Sequence, residues 1–227
     1  MQAAPGAPIQ AGIVVAIDGP SGSGKSTVAR GVAHRLGLRY LDTGAMYRAV
    51  TWLALAREIP LTDATALATL ADTVEIGLSQ DPDANQVLAD GADVTTAIRA
   101  LDVTAAVSTV SAVPGVRAAM VRRQREAIGS GGIVVEGRDI GTTVAPEATV
   151  KVFLTADPEA RARRRADETN GRLDATKVAI ERRDALDSGR AASPLAQAPD
   201  AMVIDSTDLS ADDVIERIIR QVEGVRA

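Results

Sequence analysis

The chain has 227 residues, 46% apolar and 24% charged, enough to bury one sizeable core and not the composition of a disordered or fibrous polypeptide. An aromatic content of 2% leaves few rings for stacking nucleic-acid bases, and a formal charge of −5 provides no broad polyanion-binding surface, so no nucleic-acid partner is expected. With no cysteine and one histidine, His34, disulfides, thiolate metal sites and cysteine nucleophiles are excluded.

Residues 1–12, MQAAPGAPIQAG, carry Pro5, Gly6 and Pro8 and no positive charge before the first apolar run, which predicts a flexible tail on a cytoplasmic protein. The run IVVAI is too short for a signal core or a membrane span. IVVAID at 13–18 is β-branched, nearly continuous and ended by Gly-Pro, as in a strand buried on both faces of a parallel sheet. A helix is expected from Lys25, with Val28, Val32, Ala33 and Leu36 at helical spacing and Gly37 as its stop. A short strand at 38–41 and a helix at 44–57 follow.

Between 61 and 102 the texture changes. A helix at 63–71, the runs TVEIGLS and QVLA, and the turn Ala-Asp-Gly predict a small antiparallel sheet beside a helix, that is, an inserted α+β subdomain interrupting a core of 13–60 and 103–227. Helices are then expected at about 102–113 and 115–128, strands at 131–139, 149–157 and 201–207, and a closing helix at 210–222. Five strands alternating with helices predict a three-layer α/β/α fold around a parallel sheet.

Gly19, Pro20, Ser21, Gly22, Ser23, Gly24, Lys25, Ser26 and Thr27 carry the full P-loop spacing, GxxxxGKS, between a predicted strand and a predicted helix. Glycines let the backbone turn its N–H groups inward, the helix N-terminus adds positive potential, Lys25 can reach the terminal phosphates of ATP, and the Ser26 hydroxyl can ligate Mg²⁺. A dinucleotide loop fails on spacing, because Thr27 occupies its third glycine position. A guanine-specific Asn-Lys-x-Asp motif is absent, since neither Asn85 nor Asn170 precedes a lysine. Hydrolysis that drives a partner, phosphoryl transfer to a small molecule and ATP-dependent binding all remain open on the P-loop alone.

Cations outside the loop bear on that choice, because an anionic acceptor must be held near the γ-phosphate against repulsion. Arg161, Arg164 and Arg165 fall at i, i+3 and i+4 on one helical face, and Arg183, Asp187 and Arg190 at i, i+4 and i+7 combine two guanidinium forks with a carboxylate, a set suited to a phosphorylated sugar. Ion pairs on a solvated helix would give the same spacing.

VVAIDGPSGSGKST, YLDTGAMYRA, VVEGRDIGT, RRDALDSGRAASPL and VIDST, in this order, resemble the bacterial cytidylate kinases, a nucleoside monophosphate kinase family, over roughly 13 to 220. The resemblance implies a P-loop core with a five-stranded parallel sheet, a monophosphate-binding insert at 61–102 and a short arginine-bearing lid at about 158–174. It implies transfer from Mg·ATP to CMP and dCMP. No self-complementary apolar stripe in the sequence argues for a dimer, so a monomer is expected, with no membrane partner. By similarity Ser108, Arg117 and Asp139 read the cytosine, and Arg183 and Asp187 hold the ribose. Arg48, Arg138 and Arg190 grip the monophosphate beside Thr43 and Tyr47. Lys25, Arg138 and the lid residues Arg161, Arg164 and Arg165 serve the transfer. Ser26 is the expected Mg²⁺ ligand, with Glu136 acting through water. Glu136 stands where an aspartate is expected, and Asp18 and Asp42 also lie near strand ends.

Overall fold

A computed structural model describes residues 12–169, 171–190 and 192–226; most of the expected tail, residues 1–11, lies outside them. Five parallel strands form the central sheet: β1 (Val14–Asp18), β2 (Arg39–Asp42), β6 (Ile133–Gly137), β7 (Val150–Thr155) and β8 (Met202–Asp205), in the order β2-β6-β1-β7-β8. The register pairs Asp18 with Gly137 and Asp42 with Glu136, so the carboxyl ends of β1, β2 and β6 lie level with one another.

Alternation along these strands explains the layering, since successive side chains point to opposite faces. Val15, Ile17, Val134, Val152 and Leu154 pack with Val28 and Val32 of α1 (Lys25–Leu36) and with Val214 and Ile218 of α8 (Ala211–Arg226). Ala16, Leu41, Ile133 and Val135 face the other way, against α2 (Thr43–Ala56), α3 (Ala64–Thr73), α4 (Leu101–Ala112) and α5 (Pro114–Ile128). Burial on both faces is why β1 and β6 read as continuous apolar runs.

The segment that departs from the βα rhythm forms α3 and a second sheet, β3 (Ile76–Leu78), β4 (Val87–Ala89) and β5 (Ala92–Asp93), antiparallel throughout. Its expected turn is the two-residue hairpin Asp90-Gly91, with φ 47° and 78°; positive φ at both positions matches the twist of the flanking strands. Val87 and Ala89 share one apolar cluster with α2, α4 and α5. Two features were not anticipated. The arginine-rich stretch folds as a hairpin of α6 (Pro158–Thr169) and α7 (Leu173–Ser188), and the chain leaving β6 forms a short π-helical turn, Ile140–Val144.

Candidate active site

A cleft of about 630 Å³ opens at the carboxyl ends of β1, β2 and β6, the edge at which open α/β sheets bind ligands. The P-loop leaves β1 on one side, and Gly24, in the left-handed conformation, starts α1. At Gly22, φ is 76° and a Cβ would meet the Arg161 carbonyl oxygen at 2.7 Å, so glycine is required there twice over. Lys25 is buried, and its Nζ donates to the Pro20 carbonyl at 2.7 Å. Burial, and then the nearby Arg138 guanidinium, pushes its pKa well below the usual lysine value.

Ser26 donates its hydroxyl to Glu136 Oε2 at 3.0 Å, and the Tyr40 hydroxyl donates to Oε1 of the same carboxylate. Burial raises the Glu136 pKa, and Asp42 adds to the rise. Burial also raises the Tyr40 phenol, with Glu136 reinforcing it, so Tyr40 remains a donor. Asp42 lines the cleft and caps α2 by accepting from Ala45 N at 3.0 Å. Among the described residues no cluster of three or more His, Cys, Asp or Glu could cage a metal. One hydroxyl beside one carboxylate is an all-oxygen set suited to a hard cation that keeps waters and phosphate oxygens as its other ligands.

Across the cleft the charge is positive. Asp187, 1% exposed, accepts from Arg138 Nε at 3.0 Å and from Arg190, while Arg183 Nε lies 3.8 Å away. Burial acts to raise the Asp187 pKa, but Arg138, Arg190 and Arg183 outweigh it and the net shift is downward. Arg183 is pushed down to about 9 by burial and then by Arg138 and Arg48, and Arg48 to about 10 by burial and then by Arg165. Guanidinium groups depressed by their neighbours mark an excess of positive charge that a bound anion would relieve. The Nε–H groups of Arg117, Arg183 and Arg190 are buried without hydrogen-bond partners, donors that a ligand can satisfy. Arg117 pairs with Asp139 in the cleft wall, its guanidinium 5.5 Å from the centre of the Tyr47 ring. Arg48 donates to the Ile98 carbonyl and to Thr104 Oγ1. Ser108 lies behind the wall, donating to Asp187 Oδ1 at 3.4 Å.

The residues singled out from sequence therefore divide. Lys25, Ser26, Thr27, Thr43, Tyr47, Arg48, Arg117, Glu136, Arg138, Asp139, Arg165, Arg183, Asp187 and Arg190 share one cleft. Arg161 and Arg164 do not line it. Arg161 donates to the Ser21 and Ala156 carbonyls and to Asp184, and Arg164 to Ser206 and Thr207. Asp18, one of three carboxylates considered for the cation, turns instead to the backbone of Ile140 and Gly141. Sequence reasoning missed Asp184, which also accepts from Ser21 N at 3.4 Å, and Tyr40, one of only two tyrosines in the chain.

A triphosphate cradle facing a second, cationic pocket across the carboxyl edge of a parallel sheet is the plan of a P-loop kinase, an enzyme that carries a phosphoryl group between two bound molecules. The cytidylate kinase family model matches residues 15–224, and the chain belongs to that family. A cytidylate kinase from Streptomyces avermitilis is 52% identical over 218 residues, covering 95% of this chain and 94% of its own. One from Mycobacterium avium is 50% identical over 216 residues, covering 92% and 95%. An uncharacterized protein of known structure from Eubacterium ventriosum shares the fold at a TM-score of 0.53 and 11% identity, covering 93% of this chain and 98% of its own. Among the described residues no single helix is long and apolar enough to cross a membrane.

Proposed function

We propose that the chain transfers the γ-phosphoryl group of Mg·ATP to CMP and dCMP, giving ADP and CDP or dCDP. The observation that carries the acceptor side is the crowding of Arg138, Arg183 and Arg190 around one buried carboxylate, Asp187, with Arg48 lining the same cleft, on the wall opposite the P-loop. A nucleoside monophosphate brings the charge these cations lack, and ribose hydroxyls to which Asp187 can accept hydrogen bonds. The Arg117–Asp139 pair beside Tyr47 offers a donor and an acceptor to a pyrimidine edge. A site built on such pairing rejects analogues that lack the matching groups.

The nucleophile is a phosphate oxygen that already carries negative charge, so no residue is required as general base. The work left to the protein is positioning and charge stabilisation. Lys25 leaves the Pro20 carbonyl to meet the β- and γ-phosphates, and Arg138 and Arg165 face the transferred group from the acceptor side. Arg161 supports the P-loop from behind through the Ser21 carbonyl, and Arg164 anchors α6 at Ser206. Ser26 would hold Mg²⁺ through its hydroxyl and Glu136 through water, and the ion would supply charge neutralisation for the transfer. Residues 61–102 serve as the acceptor-side subdomain and the segment at about 158–174 as the lid. One chain completes the cleft, which supports a monomer, and a cytoplasmic site follows from its nucleotide substrates.

ADP release from Mg·ATP, followed without acceptor and then with CMP, dCMP, UMP, AMP, GMP and shikimate, tests this reading. Turnover that appears with cytidine monophosphates and is negligible without an acceptor is expected. Acceptor-independent turnover, or turnover favouring a purine monophosphate or shikimate, would overturn it.

A further inference from the structure

Asp18 is a buried carboxylate that the phosphoryl transfer above does not use. It is 4% exposed and does not line the cleft. It is the last residue of β1, and the P-loop starts at the next position. Both of its oxygens are engaged, Oδ1 by Ile140 N and Oδ2 by Gly141 N, each at 2.8 Å. Those two N–H groups open the π-helical turn Ile140–Val144, and the first N–H groups of any helical turn have no partner within it. A carboxylate placed there both accepts their hydrogen bonds and complements the positive end of the turn.

The chain between the anchor points is short. Gly137 is paired with Asp18 in the sheet, Arg138 and Asp139 follow, and Ile140 is caught again by the Asp18 side chain. Arg138 and Asp139 are thus suspended between two attachments to the same residue of β1. From that span Arg138 reaches Asp187 and Asp139 reaches Arg117. The turn also lies flush on the sheet, since a Cβ at Gly141 would sit 3.3 Å from Lys151 Cδ and 3.4 Å from Asp18 Oδ2. The alternative is a carboxylate that only stabilises the fold.

We propose that Asp18 is a positioning residue for the acceptor: it clamps the Arg138–Asp139 span at a fixed offset from the P-loop, so that the loop holding ATP and the span reading the monophosphate share one anchor. The proposal rests on the cytidine monophosphate reading of the site. Asp18→Asn tests it, because an amide accepts through one oxygen only and must turn its own N–H₂ toward the other backbone N–H. The expected result is a KM for CMP raised about tenfold or more, a KM for ATP within about twofold of the wild type, and faster amide hydrogen exchange across 138–144. Unchanged KM for CMP, or both KM values rising together with exchange at 138–144 unaltered, would overturn it. If Asp18→Asn does not fold, Asp18→Glu, which keeps the charge and displaces it by one methylene, is read in the same way. CMP turnover by the wild-type protein is the control: its absence refutes the cytidine reading, whereas its presence with an unaltered KM in the variant refutes only the role of Asp18.

Discussion

Asp187 stands in the cationic pocket, where it neutralises three guanidinium groups, and its removal should be costly in a particular way. Asp187→Ala leaves Arg138, Arg183 and Arg190 facing one another, with side-chain exposures of 17%, 21% and 7%. Breaking a buried ion pair by deleting one partner costs about 3–5 kcal/mol, and the partial exposure of Arg138 and Arg183 sets the expectation near the lower bound, about 3 kcal/mol. That is a large share of a total near 5–15 kcal/mol. With a urea m-value of about 3 kcal/mol/M, the midpoint should fall by about 1 M. Trp52, the only tryptophan, is partly buried against the core and reports unfolding by fluorescence. Inorganic phosphate should then stabilise Asp187→Ala more than the wild type, because the anion replaces the missing charge. Occupancy at a hundredfold excess over Kd would restore about 2.7 kcal/mol. A midpoint shift below about 0.3 M, or equal protection of both proteins by phosphate, would refute the account of Asp187 as the internal counter-charge.

Lys25→Met should lower kcat by about 10²–10³-fold while leaving the urea midpoint unchanged or higher, since the ammonium is buried with its pKa depressed; a parallel loss of stability would contradict this. Gly22→Ala should weaken ATP binding and cost about 1–3 kcal/mol, through the contact with the Arg161 carbonyl and the positive φ, as read by nucleotide titration and urea unfolding. Asp18 gives a pH signature. Burial raises its pKa from 3.8 to about 6, with Asp139 adding to the rise while the Ile140 and Gly141 N–H groups and Lys25 oppose it. The folded state therefore binds more protons than the unfolded chain between those values, and stability should fall as pH rises through the window, by up to about 3 kcal/mol. The depressed Asp187 contributes below 3.8, outside that window. Glu136, also raised by burial, adds to the slope in the same window, so urea midpoints measured across it should slope in the wild type and slope less in Asp18→Asn, and an unchanged slope would assign the effect elsewhere.

The legible parts of the site were those in which function and local spacing coincide. The P-loop could be read because its glycines, Lys25 and Ser26 are contiguous and flanked by a strand and a helix with distinct periodicities. Arg183, Asp187 and Arg190 could be grouped because a helix brings i, i+4 and i+7 together. The same logic set Arg161, Arg164 and Arg165 on one face, yet long guanidinium stems reach in different directions: two bind backbone carbonyls of neighbouring segments and one lines the cleft. Tyr40–Glu136 and Asp18–Ile140 join residues 96 and 122 positions apart, and such pairs leave no periodic trace. The turn at 140–144 is too short to show a period at all, whereas β1 and β6 were legible because burial on both faces concentrates β-branched residues.

Helix α7 carries Arg183 and Asp187 into the cationic pocket and, between them, Asp184, which accepts from Ser21 N and Arg161 beneath the P-loop. A single turn of helix thus supports both the P-loop and the cationic pocket, the seats proposed for the two substrates. For protein engineering this separates two routes to a new acceptor. Substitutions along α7 would retune the sugar-phosphate contacts and disturb the ATP cradle with them. The wall formed by Arg117 and Asp139 has no such second duty toward Ser21, and a different base is best sought there.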